Sequence, residues 1–324
     1  MDPRVDGQLQ GHWSWLIAAY LFLGGVGSGA YVTAAVSSWT LTGLATSTTV
    51  GLWISWTALL IGSLCLMADL GSPSKAVLAG VKVGTSWIAR GFWIISLFMI
   101  LAFVHMVLAV YTDFGTSASG GKILKLISWV GVLLAVCTMA YTGLLLGASK
   151  GIPFWRSGVV PVVFLASALA TGHFTVMIGS ALATDHIAVS ELRLMALEAA
   201  VLVAFEVLAI FFFLQAAYKL PDSRESAERI MRRTAFVVGY FILGLGVPLV
   251  LMVVVFRTEA ASSSDGLLAT AVVGAALGLI GGLILRHSVL VVGTLPTWNI
   301  AGFKFRRIPQ PKAPKPHRGL LPPS

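Results

Sequence analysis

Long apolar runs dominate the chain, at about 13–40, 48–70, 88–112, 124–147, 155–180, 189–218, 231–256 and 265–293. Each is long enough to cross the ~30 Å hydrocarbon core of a bilayer, which takes about 20 helical residues. Inside lipid the backbone must satisfy its own hydrogen bonds, and a helix does so within one segment. The pattern predicts an all-α, polytopic membrane protein whose eight transmembrane helices pack as helical bundles. Composition agrees: only 11% of the 324 residues are charged, against roughly 25% in soluble chains, so lipid must cover much of the surface. The chain divides into a tail over 1–12, an eight-helix domain over 13–293 and a basic, proline-rich tail over 294–324 that is expected to be extended or disordered. Too little lies outside the spans for a soluble catalytic domain. The first span reads as retained, because Asp2, Arg4 and Asp6 mix charges before it and it is too long for a signal core.

Eight crossings put both termini on one face, called face A. All of the 22 Lys and Arg residues fall on it except Lys122, Lys125, Arg193 and Arg257. The positive-inside rule then predicts that face A, with both termini, is cytoplasmic. The net charge of +9 is read as topology. No nucleic acid is expected as a partner, since the basic residues are spread over membrane loops without a folded, aromatic-studded patch. Cys65 and Cys137 are the only cysteines, each inside a span. An iron–sulfur cluster takes about four thiolates, so none is expected in this chain.

YLFLGGVGSGAY, residues 20 to 31, packs glycine densely inside the first span. A dinucleotide fingerprint would need a preceding strand and a following soluble helix, and a P-loop would end in Lys-Ser/Thr; neither fits. The membrane reading is close helix packing: Gly25 and Gly29 form a small-xxx-small pair, as do Gly24 and Ser28, and Gly274, Gly278 and Gly282 repeat the device in the eighth span. A compatible reading is that small residues leave room for a flat ligand.

Ionisable groups inside spans are candidate functional residues. Helix rise puts Tyr20, on the first span, and Tyr141, on the fourth, each about 10 Å below face A. Asp69 ends the second span and Arg90 opens the third on the same face. Phenols can hydrogen-bond a quinone carbonyl, and nearby charged groups can exchange protons or hold head-group charge. The plain alternative is an aromatic belt with Asp69 paired to Arg90 or Lys75. Toward face B, His105 and His173 share a depth, and Glu198 and Glu206 lie along the sixth span. These four are read as hydrogen-bonded core residues, as a possible proton route, or, for the two histidines, as axial haem ligands. A di-haem cytochrome would need four ligands at two depths, which the spans do not offer.

The segments WSWLIAAYLFLGGVGSGAY, DLGSPSK, RGFW, AYTGLLLGASKGIPFW and LRHSVLVVG together resemble the NrfD/PsrC family, the polysulfide-reductase type of quinone-reactive membrane subunit. The resemblance covers nearly all of residues 12–293. It implies an eight-helix subunit without haem, metal or iron–sulfur cluster of its own, in the inner membrane of a bacterium or archaeon. It also implies a ferredoxin-like iron–sulfur partner, itself linked to a molybdopterin oxidoreductase or a multihaem cytochrome. The family's quinone pocket lies on the face that carries the termini, and its polar contacts match Tyr20 and Tyr141. Ile17 stands where one branch has Asn. Many members serve exported partners; the charge count here favours a cytoplasmic one.

The expected function is therefore the membrane-anchor subunit of a respiratory oxidoreductase complex. It would bind menaquinone or ubiquinone through Tyr20 and Tyr141, with Trp15 at the mouth and Asp69 and Arg90 handling protons or head-group charge. The alternatives are a secondary transporter, for which Gly244, Gly246 and Pro248 break the seventh span without a matching break in the first half, and a cytochrome b-type anchor using His105 and His173.

Overall fold

The computed structural model describes residues 15–40, 45–70, 86–148, 152–184, 187–258, 264–293, 297–300 and 303–306. The helices are α1 (Trp15–Trp39), α2 (Ala45–Leu70), α3 (Trp87–Val110), α4 (Ala118–Gly147), α5 (Val160–Ala183), α6 (Val189–Lys219), α7 (Pro221–Met231), α8 (Val247–Arg257) and α9 (Ser264–Val291). A π-helical segment, Ala235–Gly246, runs directly into α8. Among the described residues eight helices are long and apolar enough to cross a membrane, the π segment and α8 counting as one.

Local chemistry sets the boundaries. Ser117 caps α4, its Oγ accepting the Gly120 N–H at 3.0 Å, so this span starts at 118 instead of the expected 124 and carries Lys122 and Lys125 in its first turns. The fifth span starts later than expected, at 160, because Pro153–Arg156 forms a separate 3-10 turn and Pro161 sits in the first turn of α5. In the seventh span Pro248 has no N–H, and its ring would crowd the carbonyl four residues earlier. The wider π turn accommodates this, with the Val247 N–H reaching back five residues to Ile242 O.

Two features depart from the sequence expectation. The stretch after the sixth span folds as α7, which buries Ser223, Ser226, Ala227 and Ile230 and pairs Arg224 with Glu228 and Arg229 with Glu225 on its outer side. Within the tail expected to lack structure, β1 (Thr297–Ile300) pairs antiparallel with β2 (Phe303–Arg306), Thr297 opposite Arg306 and Ile300 opposite Phe303. The rest of that tail, the N-terminal tail and most of DLGSPSK lie outside the described residues.

Side-chain contacts fix the up-and-down order. Trp39, at the end of α1, donates to Ser128 Oγ near the start of α4 at 2.8 Å. Arg193, at the start of α6, donates to Phe256 O at the end of α8 at 2.9 Å. Trp155, just before α5, donates to Val289 O near the end of α9 at 2.9 Å. The core divides into two clusters. One, around Tyr31, Leu52, Phe98, Met106 and Met139, joins α1 to α4. The larger one gathers α5, α6, the π segment, α8 and α9, and takes in residues of α1 and the end of α4. Helix α1 is the shared wall between two four-helix bundles. It meets α5 backbone to backbone: a Cβ added at Gly29 would overlap Ala168 O, and one at Gly172 would overlap Gly29.

Candidate functional site

Tyr20 and Tyr141 come together on the face A side. Tyr20 is five residues into α1 and Tyr141 six residues before the end of α4, so each lies about 8–9 Å from its helix end. Both are buried, at 3% and 4% exposure, in one apolar cluster with Ile17, Leu21, Ile95 and Leu146. The two phenols are within electrostatic reach of each other. Gly91 of α3 sits flat against the Tyr141 ring, where a Cβ would overlap the ring and its hydroxyl. Among the described residues neither hydroxyl has a hydrogen-bond partner. One turn deeper on the Tyr20 side of α1, Gly24 is buried, yet a Cβ added there would meet no atom within 4 Å. Its carbonyl accepts the Ser28 hydroxyl at 2.7 Å.

The other residues expected at this face are more peripheral. Asp69, at the end of α2, and Arg90, in the first turn of α3, are half-buried, and the Arg90 guanidinium stands 4.8 Å over the Trp87 ring. Trp15 is 71% exposed at the very start of α1.

The four residues of the possible proton route fall in three places. His105 belongs to the first bundle, its Nδ1 2.7 Å from the Tyr31 hydroxyl. His173 lies between α5 and α6, with Nε2 2.9 Å from Met195 O and Nδ1 3.9 Å from the Glu198 carboxylate. The two imidazoles are thus held separately. Among the described residues no group of three or more His, Cys, Asp or Glu side chains converges as a metal site. Glu206 is two turns further along α6 and fully buried. It accepts the Tyr240 hydroxyl at 3.0 Å.

Beside Glu206 stands the residue that sequence reasoning misplaced. Arg286 was counted with the basic residues of face A; instead it is 0% exposed inside α9. Its Nε donates to Leu21 O at 3.2 Å, and its Nη1 to Ser167 Oγ and Gly282 O, each at 3.0 Å. Phe22 and Phe164 lie 5.6 and 5.8 Å from the guanidinium carbon. A Cβ added at Gly25 would lie 2.5 Å from Nη2. So Gly25 makes room for a guanidinium, while Gly29 makes room for a helix backbone. In α9, Gly278 faces the Phe174 ring, Gly282 faces Thr171, and Gly274 faces Met252 and Leu251. The signal for Arg286 was present in LRHSVLVVG: an arginine one turn after Gly282 and several residues short of the span's end. Tyr240 and Ser167 gave no such signal, since each looks like an ordinary span residue until the tertiary fold brings Tyr240 to Glu206 and Ser167 to Arg286.

No curated protein matches the chain. A family model described as "Polysulphide reductase, NrfD" matches residues 6–296. The chain belongs to this NrfD family, whose members are membrane subunits of respiratory oxidoreductases.

Proposed function

We propose that this chain is the quinone-reactive subunit of its complex, binding menaquinone or ubiquinone between Tyr20 and Tyr141. The observation that carries the reading is the pair of buried phenols at one depth whose hydroxyls have no hydrogen-bond partner among the described residues. Among the described residues the fully buried side-chain atoms without a partner are Ser55 Oγ and Arg286 Nη2, so the two phenol oxygens keep some accessible surface, and a quinone carbonyl is an acceptor to which they can donate there. The roomy side of Gly24 suits a flat ring beneath them. A bound quinone supplies the two-electron chemistry; the chain's phenols orient it and donate to its oxygens. Trp15 stands at the membrane end of the same helix, and Asp69 and Arg90 offer proton exchange or charge near face A.

Electrons would pass to or from a ferredoxin-like iron–sulfur subunit docked on face A, itself joined to a molybdopterin oxidoreductase or a multihaem cytochrome. The excess of Lys and Arg on that face supports a cytoplasmic orientation for it. His173 with Glu198, and Glu206 beyond them, offer a proton route from face B; His105, tied to Tyr31, would serve the first bundle.

Tyr141→Phe tests the site. It removes one hydroxyl and keeps the ring that packs on Gly91. Quinone turnover is expected to fall about tenfold, the rate equivalent of one hydrogen bond, with the complex still assembled. Normal turnover in that variant would count against the site.

A further inference from the structure

Two arginines stand at the face A end of the seventh span without a counter-charge. Helix α7 pairs Arg224 with Glu228 and Arg229 with Glu225. Arg232 lies four residues after Glu228, the spacing of a helical ion pair, but Glu228 is already held by Arg224. Arg233 follows, four residues after another arginine. Among the described residues neither guanidinium has a carboxylate or other acceptor partner. Arg232 is exposed and Arg233 half-buried, and the π segment begins directly after them at Ala235.

The lipid side of α9 carries a second unmatched group. Ile280 and Leu283 are exposed along it, and His287 continues that stripe one turn nearer face A, exposed as well. It stands four residues before the end of α9, about 6 Å inside the helix end. Among the described residues the imidazole has no hydrogen-bond partner. Lipid tails offer none either, so its partner must come from the head-group region.

The two observations fall on adjacent, antiparallel helices. The π segment and α9 meet backbone to backbone at Gly244 and Gly281, where a Cβ on either would lie 2.5 Å from the other's Cα. Nearer face A, Ile284 lies over Gly239. Counting on from that pairing puts His287 level with Phe236, about one turn below Arg232 and Arg233. Val238 and Ile242 of the π segment are exposed at the depth of Leu283 and Ile280. From face A inward, the outside of these helices therefore presents two cations, an imidazole and then apolar side chains. A phospholipid presents the complementary order: phosphate, glycerol esters and acyl chains.

We propose that the outer edge between the seventh span and α9, on face A, is a binding site for one anionic phospholipid. Arg232 and Arg233 hold the phosphate, His287 hydrogen-bonds the glycerol ester region, and the acyl chains lie along the exposed apolar stripes. Charge selects the head group. A zwitterionic lipid brings an ammonium beside two arginines whose neighbouring carboxylates are already paired, whereas phosphatidylglycerol brings negative charge alone. An acidic protein docked on face A can meet the arginines, but not an imidazole set below the helix end among lipid-facing residues; that favours the lipid. The inference goes beyond the quinone reading and does not depend on it.

The test is a titration of the purified full-length chain in mild detergent. Thermal unfolding is the readout, and native mass spectrometry of the folded chain counts the lipid bound. The probes are dioleoyl-phosphatidylglycerol, dioleoyl-phosphatidylethanolamine and inorganic phosphate. The expected result is one retained phosphatidylglycerol per chain and a saturable rise in Tm that the other two do not give. Arg232→Gln combined with Arg233→Gln is expected to weaken phosphatidylglycerol roughly thirtyfold, from two basic contacts. His287→Leu should weaken it about fivefold, from one hydrogen bond, and Arg224→Gln, whose guanidinium is paired within α7, should leave it unchanged. Equal effects of the two lipids on the unaltered chain, a comparison that needs no variant to fold, would mean unselective lipid contact and overturn the proposal. Phosphatidylglycerol binding that survives the double Gln variant would overturn it too, as would a rise in Tm reproduced by inorganic phosphate. If that variant keeps its lipid but loses the protein subunits that accompany the unaltered chain from cells, the arginines dock a protein instead.

Discussion

Gly91 decides where the Tyr141 hydroxyl can be. It has no side chain, and the Tyr141 ring fills the space that a Cβ would take. The contact lies against a rigid ring, so Gly91→Ala must push the phenol aside or separate α3 from α4; overpacking of this kind costs about 1–3 kcal/mol. Gly91→Ala is expected to lower quinone turnover about as far as Tyr141→Phe although every hydroxyl remains. Turnover and complex yield, measured together on both variants, check this; unchanged turnover in Gly91→Ala would show that the hydroxyl's position does not matter. The phenols were legible in the sequence because depth along a helix follows from counting residues from its end. Their shared burial followed from the fold alone. Arg286 was misread because a basic residue near a span's end looks like a topology signal. Only the fold shows that Gly25 and Gly282 leave a guanidinium-sized space there.

Among the elements, α1 carries the most constraint, since it contacts both bundles. Its glycines are not equivalent. A Cβ added at Gly29 would run into the α5 backbone at Ala168, whereas one added at Gly24 would meet nothing within 4 Å. A Cβ at Gly29 cannot be relieved by a side-chain movement, because the opposing atom is a carbonyl of a packed helix. Gly29→Ala is therefore expected to lower the melting temperature in mild detergent and the yield of complex. Gly24→Ala should leave stability unchanged or raise it by up to about 1 kcal/mol, the helix preference of Ala over Gly, while weakening quinone affinity if the ring uses that space. Thermal unfolding followed by tryptophan fluorescence separates the two, and equal behaviour would contradict the packing. The sequence pattern identified the glycine run as a packing device but gave no rank within it; spacing says which glycines share a face, not what lies opposite. The π segment was equally hidden, since Gly244, Gly246 and Pro248 announce a break without saying how it is accommodated.

At the scale of the whole molecule the order of the spans puts α7, the Pro153–Arg156 turn and the phenol end of α1 on face A. The turn Asp113–Thr116 and the start of α6 lie on face B. Removing Arg286 from the face A tally leaves the imbalance large, because Lys219, Arg224, Arg229, Arg232 and Arg233 alone outnumber the four basic residues of face B. Short loops carrying such an excess are expected to stay in the cytoplasm. An acidic partner docked on these loops would be the competing reason for their charge, and it would allow the opposite orientation. Single cysteines distinguish the two cases. Asp222 on α7 and Thr116 in the face B turn are both exposed, and Cys65 and Cys137 lie within α2 and α4. With a membrane-impermeant maleimide on intact cells, Thr116→Cys is expected to be labelled and Asp222→Cys only after permeabilisation. The reverse pattern would put the phenol pair on the outer side, and with it the proposed docking face of an iron–sulfur partner, so that protons taken up in the proposed quinone reaction would come from outside the cell.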